Sequence, residues 1–297
     1  DGDVLGVANF TFGASTYSCN GLAGISSIDF VSTFTQVIEL NNGWNIWSTY
    51  LDPEDQDMEA IFADIVGVVV IVKDENGAVM WPAFGLNNIG NHTVSEGYQV
   101  KLMSNATLEV TGQLSDPSMS FDIEQGWGII GYLKQDPSDA EAMMAPVVDN
   151  MIIMKDEAGA VLWPAFGLNN IGNMKAGEGY QIKMMETSSF AYLTGSGRLA
   201  YVEPIRTVHY ESAPNTGNNM TIGLPTTAWE VMPAIGDEVA AYDESGRLIG
   251  STSFTGNNIA LTVWGDDLMT DSKDGLAIGE RVTFKLWNSD MNTESTL

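Results

Sequence analysis

Apolar and polar residues alternate in short segments along most of the chain, a pattern that predicts strands more often than helices. SEGYQVKL (Ser95–Leu102) ends with apolar residues at every second position, and AGEGYQIKM (Ala176–Met184) repeats this spacing. VVVIV (Val68–Val72) is a short β-branched run, which is typical of a buried strand. The expected fold class is therefore mainly β, with tandem β-rich modules of a sandwich-like or barrel-like kind.

Two short segments depart from this alternation and predict one short helix in each half of the chain. They are DMEAIFADI (Asp57–Ile65) and SDAEAMMA (Ser138–Ala145). In the second segment Ser138 is followed three residues later by Glu141, and this spacing predicts a capping box at the helix start.

Three acidic segments that end in glycine predict β-hairpins. They are DENG (Asp74–Gly77), DEAG (Asp156–Gly159) and DESG (Asp243–Gly246). Glycine at the fourth place supplies the positive φ that closes a short hairpin.

The stretch WPAFGLNNIGN occurs twice without a change, at Trp81–Asn91 and at Trp163–Asn173. The flanking segments are similar too, so the chain holds a duplicated module with a period of about 82 residues. Because this period is longer than those of solenoids and propellers, it predicts tandem domains. The predicted parts are a lead-in (1–34), a first β repeat (35–115), a second β repeat (116–197) and a C-terminal β-sandwich-like module (198–297).

The doubled stretch has two interpretations. Its proline, glycines and asparagines predict an irregular loop, and its many apolar side chains favour a loop that packs on itself. Alternatively, it is an exposed sugar-binding platform. In that case Trp81 or Trp163 stacks on a sugar ring, while Asn87 or Asn169 binds hydroxyl groups.

The charge balance narrows the classes of partner. The chain has 12 basic and 39 acidic side chains, a formal net charge of −27, which disfavours nucleic acid and anionic membranes. The longest apolar run, Ile65–Val72, is too short to span a bilayer. Cys19 is the single cysteine, so no intrachain disulfide can form. The excess of acids is typical either of a solubilising surface or of a protein that binds divalent cations.

A calcium site is one candidate for these acids. WGDDLMTDSKDG contains the four carboxylates of the candidate site: Asp266, Asp267, Asp271 and Asp274. Oxygen ligands in a flexible loop suit Ca²⁺, although the spacing differs from that of an EF-hand. The alternative is a solvated acidic loop with Asx turns.

Four lysines recur in register in the two repeats, as the pairs Lys73 with Lys155 and Lys101 with Lys183. In so acidic a chain we expect them to pair with neighbouring carboxylates such as Glu96 and Glu178. Exposed pairs of this kind contribute about 0–1 kcal/mol.

Catalytic chemistry has little support in the sequence, and we expect no enzyme. His92 and His209 are the only histidines, and Met174 stands at the position of His92 in the second repeat. Neither a nucleophile elbow nor an H-E-x-x-H motif occurs. Carboxylate pairs for glycoside hydrolysis are numerous, but most of the acids lie in predicted turns and caps.

The repeats resemble a module of large secreted bacterial proteins that carry type IX secretion sorting domains. The residues that carry the resemblance are Gly-Trp, the Trp-Pro and Asn-x-Ile-Gly-Asn parts of the doubled stretch, and Gly-Glu-Gly-Tyr-Gln-x-Lys. GDEVAAYDESGRLIG (Gly236–Gly250) resembles a second module that accompanies the first. The resemblance implies a secreted or cell-surface protein, and it implies no activity.

The expected function is that of an extracellular structural or adhesive surface protein built of rigid β modules. The alternative is a carbohydrate-binding accessory region of a secreted enzyme. Expected partners are further copies of the chain, as a homopolymer, or extracellular glycans. The lead-in DVLGVANFTFGAS (Asp3–Ser15) has strand-like alternation, so it either donates a strand to a neighbouring copy and builds a filament, or forms a strand in its own domain.

Overall fold

The computed structural model describes residues 8–12, 15–19, 32–193 and 207–297, the first two stretches as backbone strands. The molecule is mainly β, as predicted. Contacts divide the chain into two compact units, Asp1–Ser32 and Thr33–Leu297. In the first unit β1 (Ala8–Phe12) pairs antiparallel with β2 (Ser15–Cys19). The rest of the predicted donor segment, and residues 194–197 at the end of the predicted second repeat, lie outside the described residues.

The first repeat combines a five-stranded and a three-stranded antiparallel sheet. Its strands are β3 (Phe34–Leu40), β4 (Gly43–Trp47), β5 (Leu51–Pro53), β6 (Val69–Lys73), β7 (Val79–Trp81), β8 (Leu86–Asn87), β9 (Tyr98–Leu102) and β10 (Ala106–Leu114). The sheet orders are β4-β9-β6-β7-β8 and β3-β10-β5. Helix α1 (Met58–Ile61) closes a core in which Trp47, Phe62 and Tyr98 are fully buried.

The second repeat reproduces the five-stranded sheet in the same order, β12-β18-β14-β15-β16. Its strands are β11 (Phe121–Ile123), β12 (Gly126–Gly131), β13 (Ser138–Asp139), β14 (Met151–Lys155), β15 (Val161–Trp163), β16 (Leu168–Asn169), β17 (Asn173–Met174), β18 (Gly179–Met184) and β19 (Ser188–Phe190). Helix α2 (Ala140–Met144) packs into a separate core with Tyr132, Met154 and Tyr180.

The C-terminal module has two antiparallel sheets, ordered β20-β23 and β22-β21-β24-β25. Its strands are β20 (Asn219–Leu224), β21 (Glu238–Tyr242), β22 (Leu248–Ser253), β23 (Ile259–Trp264), β24 (Thr283–Asn288) and β25 (Thr293–Thr296). The predicted hairpin turn is present between β21 and β22, where Gly246 has a φ of 81°. Val239, Phe254 and Leu261 form the centre of its core.

The helices are shorter than the sequence predicts. The first is a single α-helical turn that continues as a 3₁₀ helix over Ala63–Val68, where glycine and β-branched residues disfavour the α conformation. In the second the N-cap is Asp139, not Ser138, so the predicted capping box is wrong. The Asp139 carboxylate accepts the Ala142 amide at 2.8 Å, while Ser138 lies in β13.

The two repeats contact each other reciprocally. The Ser48 amide donates to the Gly177 carbonyl at 3.0 Å, and the corresponding Gly131 amide donates to the Ser95 carbonyl at 2.9 Å. The Ile46 amide likewise donates to a Glu157 carboxylate oxygen and the Ile129 amide to that of Glu75, at 3.3 and 2.8 Å. This exchange of equivalent contacts is the pattern of an isologous, two-fold interface, here formed within one chain.

Across residues 32–193 and 207–297, the structure has no helix with the length and apolar character needed to cross a membrane.

Candidate functional site

The first copy of the doubled stretch forms a loop that supports the start of helix α1. Pro82–Phe84 form a 3₁₀ turn that ends at Gly85, which has a φ of 61°. Further along, the Asn87 amide donates to both carboxylate oxygens of the N-cap Asp57 at 3.2 Å, and its carbonyl accepts the Gly90 amide at 2.9 Å. The loop therefore holds the capping carboxylate in place.

The second copy repeats these contacts. Asn169 donates to the N-cap Asp139 at 3.0 Å and accepts the Gly172 amide at 2.9 Å. The Gly172 carbonyl accepts the amide of Ala140, the first residue of α2, at 2.8 Å. Because each asparagine uses both ends of its amide within the protein, Asn87 and Asn169 serve the helix caps.

The two tryptophans of the loops are half-buried, and each packs on a phenylalanine of its own loop. The ring centroids of Trp81 and Phe84 are 4.7 Å apart, and those of Trp163 and Phe166 are 4.1 Å apart. Each predicted platform tryptophan is thus paired with a phenylalanine of its own loop, while the predicted asparagines bind the helix caps.

The surroundings of the two loops differ. Trp163 packs against Ala260 of the C-terminal module, and the Asn258 amide donates to the Phe166 carbonyl at 3.1 Å. In the first copy Phe84 is 66% exposed and Leu86 is 42% exposed. Identical segments therefore have a covered face in the second repeat and an open face in the first.

A cluster of one tryptophan and two lysines lies on the sheet of the first repeat. The Lys73 Nζ lies 4.5 Å from the Trp44 ring centroid, and the Lys101 Nζ lies 5.8 Å from it. The C-terminal module places a carboxylate here, because an Asp267 oxygen accepts from Trp44 Nε1 at 2.7 Å and from Lys101 Nζ at 2.6 Å.

This contact is buried and tightens the link between the modules. Trp44 is 7% exposed and Asp267 is 6% exposed. Burial by itself would raise the pKa of Asp267, but the hydrogen bonds from Lys101, the Met269 amide and Trp44 lower it below its usual value. The expectation that the recurring lysines pair with neighbouring carboxylates such as Glu96 and Glu178 is wrong for Lys101, whose partner is the distant Asp267. Glu96 instead accepts from the Tyr98 hydroxyl at 3.1 Å.

Two of the other predicted calcium ligands, Asp266 and Asp274, also accept hydrogen bonds from the protein. Asp266 accepts the Asp274 amide at 2.8 Å, and Asp274 in turn accepts the Asp267 amide at 2.9 Å. Asp271 is exposed at the tip of the loop. Among the residues that the structure describes, no three acidic, histidine or cysteine side chains are grouped to hold a metal ion. The loop has Asx-type hydrogen bonds and places Asp267 in contact with the first repeat.

The second repeat has the same cluster in a different setting. The Lys155 Nζ lies 5.1 Å and the Lys183 Nζ 5.4 Å from the Trp127 ring centroid. Here Trp127 is 51% exposed. Burial, with a smaller contribution from nearby Lys183, lowers the pKa of Lys155 to about 8.

The Trp127 cluster opens into a cleft of about 290 Å³. Residues from all three modules line this Trp127 cleft, so it lies at their junction. Among the lining residues are Glu75, Trp127, Lys155, Gln181, Asn218 and Asn219. An indole beside amide side chains and ammonium groups can stack on a ring and hydrogen-bond polar substituents, so the cleft has the chemistry that such a ligand would need.

Sequence reasoning missed the Trp127 cleft, although its signal was present. The Gly-Trp dipeptide and the four lysines recur in register in both repeats. Each lysine pair was expected to serve surface ion pairs, whereas the lysines in fact flank a tryptophan. The strand register accounts for this, because Trp127 lies directly opposite Lys183 on the neighbouring strand.

No protein-family model matches this chain, and neither a curated protein nor a solved structure is significantly similar to it. The resemblance to secreted surface modules therefore stays a prediction, and function is inferred from the geometry of the described residues.

Proposed function

We propose that the chain belongs to an extracellular structural and adhesive surface protein in which two β repeats and a C-terminal module act as one rigid body. The observation that carries the proposal is the reciprocal interface between the repeats together with the buried Asp267 contact to Trp44 and Lys101. A body of this kind resists separation of its modules under load, as a surface adhesin requires.

Secretion and surface location rest on the residues shared with type IX-associated modules. The acidic composition agrees with an extracellular setting, since a net charge of −27 keeps the protein soluble and away from nucleic acid.

Removal of the Asp267 charge tests the rigid body. In the Asp267→Asn variant the buried Lys101 ammonium loses its carboxylate, so we expect the free energy of unfolding to fall by about 3 kcal/mol. The measurement is urea denaturation, with hydrogen exchange to locate the loosened module. Asp271→Asn removes an exposed acid of the same loop and is the matched control, expected to change stability by less than about 0.5 kcal/mol. Separate unfolding transitions for the modules of the unaltered protein would contradict the proposal.

Self-association is part of the proposed function, and the exposed face of Phe84 and Leu86 supports it. The identical face in the second repeat packs against the C-terminal module, so the open face in the first repeat is one that can pack against protein. Sedimentation velocity at rising concentration is expected to give assemblies that the double variant Phe84→Ser, Leu86→Ser abolishes. Assemblies that persist in the double variant would exclude this face as the contact.

A second candidate function is saccharide binding at the Trp127 cleft. The observation that favours it is a half-exposed indole next to the amide side chains of Gln181 and Asn218. A glycan array with the unaltered protein, followed by Trp127→Ala, tests it. We expect the variant to lose all array signals. Unchanged signals would show that the binding site lies elsewhere.

A further inference from the structure

The two tryptophan–lysine clusters have equivalent residues in different surroundings, so they can be compared directly. In the first repeat the Asp267 carboxylate accepts from Trp44 and Lys101, and Lys73 lies over the same Trp44 ring. In the second repeat the equivalent Trp127 and Lys155 line the Trp127 cleft and Lys183 lies beside the Trp127 ring, and the described residues provide no carboxylate partner for either lysine. The first cluster therefore indicates which chemical group the second can accept.

Among the described residues, the two lysines beside Trp127 have no carboxylate partner. Lys155 is 3% exposed, and its Nζ donates to a single neutral acceptor, the Asn219 side-chain oxygen, at 2.9 Å. For Lys183 the described parts of the chain offer no hydrogen-bond or ion-pair partner beyond the face of Trp127. A buried ammonium is stabilised most by an anion with which it forms charge-assisted hydrogen bonds.

Two acidic side chains also line the cleft, and each already accepts hydrogen bonds from backbone amides. Asp74 accepts the amides of Asn76 and Ala78 at 2.9 and 2.7 Å. Glu75 accepts the Ile129 amide at 2.8 Å. Their carboxylates serve the hairpin turn and the interface between the repeats.

We infer that the Trp127 cleft binds a saccharide that carries a carboxylate, with Lys155, Lys183 and the indole N–H of Trp127 as its receptors. The inference rests on the second candidate function, saccharide binding, and adds the chemical class of the sugar, a uronic acid. It assigns to the second repeat the contacts that Asp267 makes in the first.

The shape of the site favours a short acidic saccharide over an acidic peptide. The cleft is concave, holds about 290 Å³ and presents the amides of Gln181 and Asn218, which suit hydroxyl groups around a ring. The net charge of −27 repels polyanions at long range, so the ligand carries an isolated carboxylate.

The test is a titration of the complete chain with glucuronic acid and galacturonic acid, and with glucose and galactose as the matched neutral sugars. The probe is the indole N–H resonance of Trp127, assigned through its loss in Trp127→Phe. We expect the uronic acids to shift this resonance and to bind at least about tenfold more tightly than the neutral sugars, because a charged hydrogen bond is lost with the carboxylate.

Lys183→Gln is expected to reduce uronic acid binding about tenfold and to leave neutral sugar binding unchanged. Lys175→Gln removes an equal charge from an exposed lysine outside the cleft and is the control.

The outcomes separate this inference from the function on which it rests. Equal binding of acidic and neutral sugars, with no effect of Lys183→Gln, would overturn the carboxylate assignment and leave saccharide binding intact. No shift with any sugar would overturn both. A shift with a short glutamate-rich peptide, and with none of the sugars, would replace the saccharide by a protein ligand.

Discussion

His92 is a polar residue in an apolar core. It is 3% exposed, and its ring centroid lies 5.7 Å from that of Trp47, on which it stacks, and 5.5 Å from that of Tyr98, to which it is tilted. Neither ring nitrogen has a hydrogen-bond partner among the described residues. Met174 occupies the equivalent position in the second repeat and is fully buried. We therefore expect His92→Met to raise the free energy of unfolding at pH 7 by about 1–2 kcal/mol, measured by urea denaturation.

The effect of the same substitution on the free energy of unfolding depends on pH. Burial lowers the pKa of His92 to about 4, so the folded protein keeps it neutral while the unfolded chain takes up a proton below the usual value of 6.5. Stability from this group is thus complete above pH 6.5 and falls as the pH drops towards 4, by about 2 kcal/mol at pH 5. The advantage of His92→Met should grow by that amount between pH 7 and pH 5. A constant advantage would contradict the assignment.

The pH dependence has to be measured as the difference in stability between His92→Met and the unaltered protein, because another group changes stability with pH in the opposite direction. Burial, helped by Glu178 and Glu157, raises the pKa of Asp156 to about 7. The folded protein then binds a proton before the unfolded chain does, so this group adds stability as the pH falls below 7. The difference between variant and unaltered protein cancels the contribution of Asp156.

At the residue scale, local chemistry was predictable from the sequence and distant contacts were not. The loop composition predicted self-packing, and each asparagine does bond within its own repeat. Asp267 was a candidate metal ligand because its neighbours in sequence are acids. Its partner Lys101 lies 166 positions away, and no short-range pattern could have paired them.

At the scale of elements, the doubled loops act as supports for the helix starts. Asn169→Ala removes the donor to the Asp139 carboxylate and the acceptor of the Gly172 amide. We expect the variant to lose about 1–3 kcal/mol of stability, with faster hydrogen exchange in α2. The matched variant Asn87→Ala should loosen α1 in the same way. Equal exchange in α2 before and after the substitution would show that the loop does not stabilise the cap.

Element type was more predictable than element length. The strand register of the repeats follows the alternation of the sequence, as in β9, where Tyr98, Val100 and Leu102 are buried. The helices were predicted too long, because apolar spacing does not reveal where a 3₁₀ helix replaces the α-helix. The capping residue was misassigned by one position, since Ser138 and Asp139 are both good N-caps and a tertiary contact to Asn169 selects the second.

At the scale of the molecule, the two copies of the duplicated module form an interface with each other and are not two independent domains. The sequence predicted the repeats, but much of the reciprocal interface is formed by backbone groups that any residue carries. One sequence signal is the glycine before the tyrosine in Glu-Gly-Tyr, which is Gly97 in the first repeat and Gly179 in the second. A Cβ on Gly97 would lie 3.2 Å from the Gly179 Cα, and a Cβ on Gly179 would lie 3.3 Å from the Gly97 Cα. The two strands thus meet where a side chain has no room.

Gly97→Ala tests whether this close approach holds the repeats together. The added Cβ would lie 2.9 Å from the Ile130 carbonyl oxygen, so the repeats must shift apart, and we expect a loss of about 1–3 kcal/mol in the free energy of unfolding. Hydrogen exchange should accelerate at the Gly131 amide, which bridges the repeats. Gly67→Ala is the control, because a Cβ there meets nothing within 4 Å and its stability should be unchanged or slightly raised. If both alanine variants behave alike, the glycine contact is not what joins the repeats, and the interface must depend on its reciprocal hydrogen bonds.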